Sequence, residues 1–167
     1  EVFDKYFNTI ASKELAFTNL NLAYCQQGFF LKVPKNTVIE KPIHVFYISQ
    51  NQEENIIYNT RNFLIADEGS KVEIIESHHN FDDTFVLTNS VTEIFTYQNA
   101  KADWHKLQND SNTSYLIDHT FAKQGRDSLT TVNTFTFGGK IIRNNLDFIH
   151  NGENINSFMN GITIIGK

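Results

Sequence analysis

The sequence has one cysteine, one methionine, one tryptophan and two prolines in 167 residues. A lone Cys25 excludes an internal disulfide framework and any all-cysteine metal site, and it fits a reducing compartment. Basic residues are the minority: 14 Lys and Arg face 19 Asp and Glu, a formal net charge of −5. Modules that bind nucleic acid by neutralising phosphates carry the opposite balance. No apolar run approaches the ~18 residues of a membrane helix, and no signal-peptide pattern opens the chain. Glycine is sparse, at eight residues, and Asn-Gly pairs that mark tight turns occur only at Asn151-Gly152 and Asn160-Gly161. A meander of hairpins would show more. Nucleophile elbow, phosphate loop, dinucleotide fingerprint and zinc-protease patterns are all absent.

Hydrophobic residues make up 40% of the chain, enough for one sizeable core in one domain. Residues 1–16 carry Val2, Phe3, Tyr6, Phe7 and Ile10 at spacings that predict a short amphipathic helix, with no long helix after it. From residue 29 onward, short runs rich in Val, Ile, Phe, Tyr and Thr recur between polar clusters. The predicted strands are 29–33, 43–49, 61–66, 71–77, 84–87, 91–97, 102–107, 114–121, 129–137, 140–150 and 162–165. Such spacing without intervening helices means an all-β fold. The 20 asparagines gather at strand ends, where stacked amides can bond along a coil axis. In Ile142, Asn144, Leu146, Phe148 and His150 an Asn sits on an apolar face, which is costly unless a neighbouring coil pairs it. Tyr115, Ile117, His119 and Phe121 repeat the alternation. This favours a parallel β-helix over a sandwich, although no strict period is visible. The chain starts at Glu1 without Met and stops inside the strand-like run 161–167, as expected of a domain cut from a longer protein.

The chemistry-bearing residues mostly read as structural. His78 and His79 are adjacent, so on a strand they point to opposite faces, and they read as solvated loop histidines before Asn80. His119 and His150 read as hydrogen-bonded core histidines, while His44 and His105 lie in or beside strands. Cys25 has no adjacent Lys, Arg or His and reads as an inert thiol. The carboxylates that could serve a glycosidase are Asp82-Asp83, Glu53-Glu54 and Glu73 with Glu76, and they are scattered. Glu73 is expected on a solvent face. Trp104 could stack a sugar, but reads as packing.

An ordered set of segments resembles the SufB/SufD family of iron–sulfur cluster assembly proteins. Gln27-Gly28, the apolar run to Val33-Pro34, and Ile39-Glu40-Lys41-Pro42-Ile43 resemble the start of its core domain. Arg61-Asn62-Phe63-Leu64, Ser70 to Glu76, Asn89 to Phe95, Lys106-Leu107-Gln108 and Gly138-Gly139 through Arg143-Asn144-Asn145-Leu146 follow in order, with Gly161 in the next coil. The balance lies nearer SufD than SufB. The resemblance implies a right-handed parallel β-helix, with a helical or irregular lead-in over 1–26 and a core domain over 27–167 that lacks its last coils and a C-terminal helical domain. It implies a non-enzymatic, cytoplasmic scaffold subunit of the SUF machinery that pairs with a SufB-like paralogue and a SufC-like ATPase. It assigns no catalytic, cofactor or metal residue to this chain. The iron–sulfur cluster, and a flavin, would belong to the full assembly. Open coil edges predict a homodimer or strand-swapped self-association near Ile162–Ile165. Pattern alone leaves two other readings standing, a β-helix carbohydrate-active enzyme and a structural solenoid.

Overall fold

The computed structural model describes residues 2–49, 55–80 and 85–164. Two short helices, α1 (Val2–Tyr6) and α2 (Ala16–Tyr24), precede ten strands. These are β1 (Phe30–Val33), β2 (Ile43–Ser49), β3 (Ile56–Ala66), β4 (Lys71–Asn80), β5 (Val86–Thr96), β6 (Lys101–Gln108), β7 (Ser114–Gly125), β8 (Leu129–Thr136), β9 (Ile141–Asn151) and β10 (Asn156–Thr163). Odd strands form one parallel sheet in the order β1-β3-β5-β7-β9, and even strands form a second, β2-β4-β6-β8-β10. Each coil contributes one strand to each sheet. The chain is a β-solenoid of about four turns.

The repeat drifts, which is why no period is visible in the sequence. Phe30 pairs with Phe63, a step of 33 residues. Ile56 pairs with Val86, a step of 30, and Tyr115 with Ile141, a step of 26. Surplus residues are shed at the corners, so register within the sheets is kept.

The corners from odd to even strands share one device. Asn36, Gly69, Asn99, Asp127 and Asn154 each sit in left-handed backbone, at φ 55–67°. Asn, Asp and Gly tolerate that conformation best. Each turn is tied to the next by its own amide. Asn36 N–H donates to Glu68 O at 2.8 Å, Gly69 to Gln98 O at 2.9 Å, Asn99 to Arg126 O at 3.1 Å and Asp127 to Glu153 O at 3.0 Å. Side-chain amides also donate from coil to coil, Asn89 to Asn59 (2.9 Å), Asn160 to Asn133 (2.8 Å) and Asn154 to the Asp127 carboxylate (2.8 Å). The tight turns expected at the two Asn-Gly pairs are not hairpins: Asn160-Gly161 lies inside β10, and Asn151-Gly152 lies where β9 passes into a corner.

The core lies between the sheets. Leu64, Ile94 and Ala122 face inward from the first sheet, and Val72, Ile74, Ala102, Trp104 and Val132 from the second. Ile142, Asn144, Leu146 and Phe148 of β9 share the inward register, as their alternation implied. In β7 the parity is reversed: Leu116, Asp118, Thr120 and Ala122 point inward. Tyr115, Ile117, His119 and Phe121 form an outer face, apolar because Ile10 and Ala11 of the lead-in pack on Phe121 and Val91.

The lead-in also departs from a single amphipathic helix. Asn8 is in left-handed backbone (φ 55°), so α1 stops at Tyr6 and the chain continues as a strap across the first sheet. The second helix escapes a hydrophobic-pattern reading because its buried face is polar, Thr18 and Asn21. The Asn21 amide donates to Thr60 O (2.8 Å) and Asn89 O (2.9 Å), and Asn89 returns a bond to Phe17 O (2.9 Å).

Candidate functional site

Toward the ends of the even strands the interior turns from apolar to charged. Trp104, Lys106 and Gln108 follow one another on the inner face of β6, beside Ile74, Glu76 and His78 on β4. Glu76 accepts from His78 Nε2 at 2.8 Å and from Trp104 Nε1 at 2.7 Å. Burial pushes the Glu76 carboxyl up. The Lys106 ammonium and the bonds from His78 and Trp104 outweigh that and hold it at about 2, well below the usual carboxylate range. Lys106 Nζ reaches across the lumen to Asp118 Oδ2 (2.5 Å) and Thr120 Oγ1 (2.7 Å) of β7, with both charged side chains 2% exposed. Gln108 exchanges two bonds with the inward Asn144 (2.8 and 3.1 Å) and accepts one from Thr136 (2.8 Å). That cross-sheet pair, rather than a column of like residues, satisfies Asn144. Tyr47 of β2 stacks on His78 (4.9 Å) and donates to Asn62. Burial, then the Glu76 charge, push its phenol above the ordinary value. A cavity of about 300 Å³ opens here, with Tyr47, Ser49, Thr60, His78 and Thr88 in its wall.

A second buried ionic cluster lies on the outer face of the first sheet. Arg61 Nη2 of β3 meets Glu93 Oε1 of β5 at 2.5 Å, with side chains 3% and 0% exposed. The strap completes it: Glu93 accepts from the backbone amides of Asn8 (3.1 Å) and Ile10 (3.2 Å), and Arg61 donates to the side chains of Asn8 (3.0 Å) and Asn21 (3.3 Å). The guanidinium also lies over Phe7 and Phe63, 5.4 and 5.7 Å from their ring centres.

The residues singled out from sequence are dispersed over this frame. His78 and His79 are in β4 rather than a loop, with His78 inside and His79 outside against Phe46. His119 is hydrogen-bonded, to Asp147 at 2.5 Å, but on the outer face, stacked on Phe121. His150 has the inner register yet is exposed, bonded to Ser157 (2.8 Å). His44 bonds Ser77 (2.8 Å), and His105 is gripped by Glu73 (3.2 Å) and Asn133 (2.9 Å) on the outer face of the second sheet. Glu73 and Glu76 therefore point to opposite faces and form no pair. Asp82-Asp83, Glu53-Glu54 and Ile165 lie outside the described residues. Cys25 closes α2 as a free, half-buried thiol. Trp104 is fully buried, stacked on Phe29 (5.6 Å), and is core. Among the described residues no three His, Cys, Asp or Glu side chains are placed to hold a metal ion.

The sequence reading assigned no role to Lys106, Asp118, Arg61 or Glu93. For Lys106 a signal existed, since Ala102, Trp104 and Lys106 share one strand parity. Arg61 and Glu93 are 32 residues apart and meet only through the coil register.

Fold and site define a class: a parallel β-solenoid with charged pairs sealed inside its lumen and beneath an N-terminal strap. The SUF system FeS cluster assembly SufBD core domain matches residues 47–167, and the SufBD protein N-terminal region matches residues 1–45. The chain belongs to the SufBD family. An iron–sulfur cluster assembly SufBD family protein of Synechocystis is 26% identical over 89% of this chain and 35% of its own length. Its counterpart in Staphylococcus saprophyticus is 31% identical over 70% of this chain and 25% of its own. The chloroplastic protein ABCI7 of Arabidopsis thaliana is 31% identical over 68% and 25%. The chain thus spans a quarter to about a third of the length of these relatives. None of its described helices is long and apolar enough to cross a membrane.

Proposed function

We propose that this chain is part of a SufD-like scaffold subunit in SUF iron–sulfur cluster assembly. In this reading it works without a chemical step of its own, in the cytoplasm, beside a SufB-like paralogue and a SufC-like ATPase. The observation that carries the reading is that the two SufBD regions match the chain almost end to end, in order. The fold supports it: ten strands in two continuous ladders make a stiff rod, suited to holding partners at fixed spacing. The iron–sulfur cluster is cargo of the whole assembly, as is any flavin. β9 and β10 are edge strands, and Ile141, Phe158 and Ile162 near them are exposed, which suits pairing with a paralogue or a second copy.

The test is purification of the full-length protein from its own cells, with mass spectrometry of the chains that accompany it. Recovery of a SufB-like chain and an ATPase subunit is expected. A protein that comes out alone overturns the scaffold reading.

A further inference from the structure

Residues 6–11 lie across the outer face of β3, β5 and β7 and are held there at successive positions. Glu93 grips backbone, accepting from the Asn8 and Ile10 amides. Four positions read side chains. The Tyr6 ring meets Phe95 edge-on at 5.0 Å, and its hydroxyl bonds that of Tyr97 (2.9 Å). Phe7 packs against both the Arg61 guanidinium (5.4 Å) and the Phe63 ring (5.5 Å). The Asn8 amide oxygen accepts from Arg61. Ala11 packs on Val91 and Phe121. Two charged side chains buried to this degree, the carboxylate met by two backbone donors and the guanidinium by a side-chain acceptor from one short segment, are the makings of specific recognition.

The occupant is held at points rather than packed throughout. A cavity of about 320 Å³ lies beside Tyr6 and Thr9 against Phe95, Tyr97 and Lys123. An open groove runs beside Ile10, Ser12 and Leu15 against His119 and Asp147. Residues 13–15, which join the strap to α2, are exposed. α2 has an anchor of its own, independent of the strap, in the Asn21 bonds to Thr60 O and Asn89 O.

We propose that the strap is displaceable, and that the groove accepts in trans a segment of the same chemistry: two aromatics, an Asn, a one-residue spacer, an aliphatic and a small residue. This stands apart from the scaffold reading. It is tested by fluorescence anisotropy of the full chain with a labelled synthetic peptide of residues 4–15. In the wild type the tethered strap competes at an effective concentration on the order of a millimolar, so the peptide binds weakly. Phe7→Ala and Asn8→Ala loosen the strap and leave the groove intact. At least tenfold tighter, saturable peptide binding is expected for each, with none for a scrambled peptide. Adding Glu93→Gln, or the milder Tyr97→Phe, to Asn8→Ala should reverse the gain, with circular dichroism confirming that each variant stays folded. Dimers of the loosened variants that added peptide dissolves count in favour. Unchanged binding in the loosened variants, or equal binding of the scrambled peptide, overturns the proposal.

Discussion

Lys106 carries the sharpest consequence at the level of single residues. It is a buried ammonium held by a buried carboxylate, and breaking such a pair from one side costs more than removing it whole. Lys106→Met should destabilise the fold by ~3–5 kcal/mol in urea titrations, because Asp118 is left charged and unpaired. Lys106→Met with Asp118→Leu should recover most of that loss. Equal losses in single and double variants would mean the pair is not coupled. Glu76 makes the same point through pH. Its carboxyl is held at about 2 when folded and titrates at its ordinary value when unfolded, so the unfolded chain takes up the proton first. Its contribution is complete above the ordinary carboxylate range and is lost as pH falls from there toward 2. Glu76→Gln should remove that segment of the stability–pH curve, read as Tm between pH 5 and 2.

Coil corners set the rules at the level of elements. Gly69 is in left-handed backbone against a neighbouring turn: at φ +67° a Cβ would stand 2.5 Å from Asn36 Oδ1, and that side-chain tip would have to shift. Gly69→Ala should cost ~1–2 kcal/mol from the left-handed conformation alone. Asn99→Gly, at the equivalent place in the next coil, should be neutral within ~0.5 kcal/mol, and thermal melts of both variants compare the two. The strands were legible in sequence where one face is apolar, as in 43–49, which is β2 unchanged. The sequence pattern splits β5 into 84–87 and 91–97, because Thr88-Asn89-Ser90 is a polar break between apolar runs. Thr88 and Ser90 instead face the polar lumen, and Asn89 is tied down from outside by Phe17 O and Asn59. The second helix was missed for a related reason: what it buries is an amide. Polar interiors defeat a reading that equates inside with apolar. The ionic clusters were out of reach for another reason, since a repeat that drifts from 33 to 26 residues hides which residues lie side by side.

Taken as a whole molecule, the solenoid is held by neighbour-to-neighbour ladders, β3 to β5, β5 to β7 and β7 to β9 having the longest registers, of 11 pairs each, so β5 and β7 are flanked on both sides by long ladders. Stability in such stacks is close to a sum over adjacent coils, and loss starts at the ends. Amide hydrogen exchange should be slowest in β5 and β7, and fastest among the even strands in β10, whose outward residues Phe158 and Ile162 are exposed. Uniform protection from β2 to β10 would contradict a nearest-neighbour stack. The drifting repeat has one more consequence. Each coil climbs by one strand spacing, about 4.8 Å, whether it spends 33 residues or 26. Distance along the axis is therefore counted in whole rungs, and is blind to how much chain each rung consumes. A residue inserted at a corner leaves every partner site at its height, whereas loss of one coil lowers everything beyond it by a full rung.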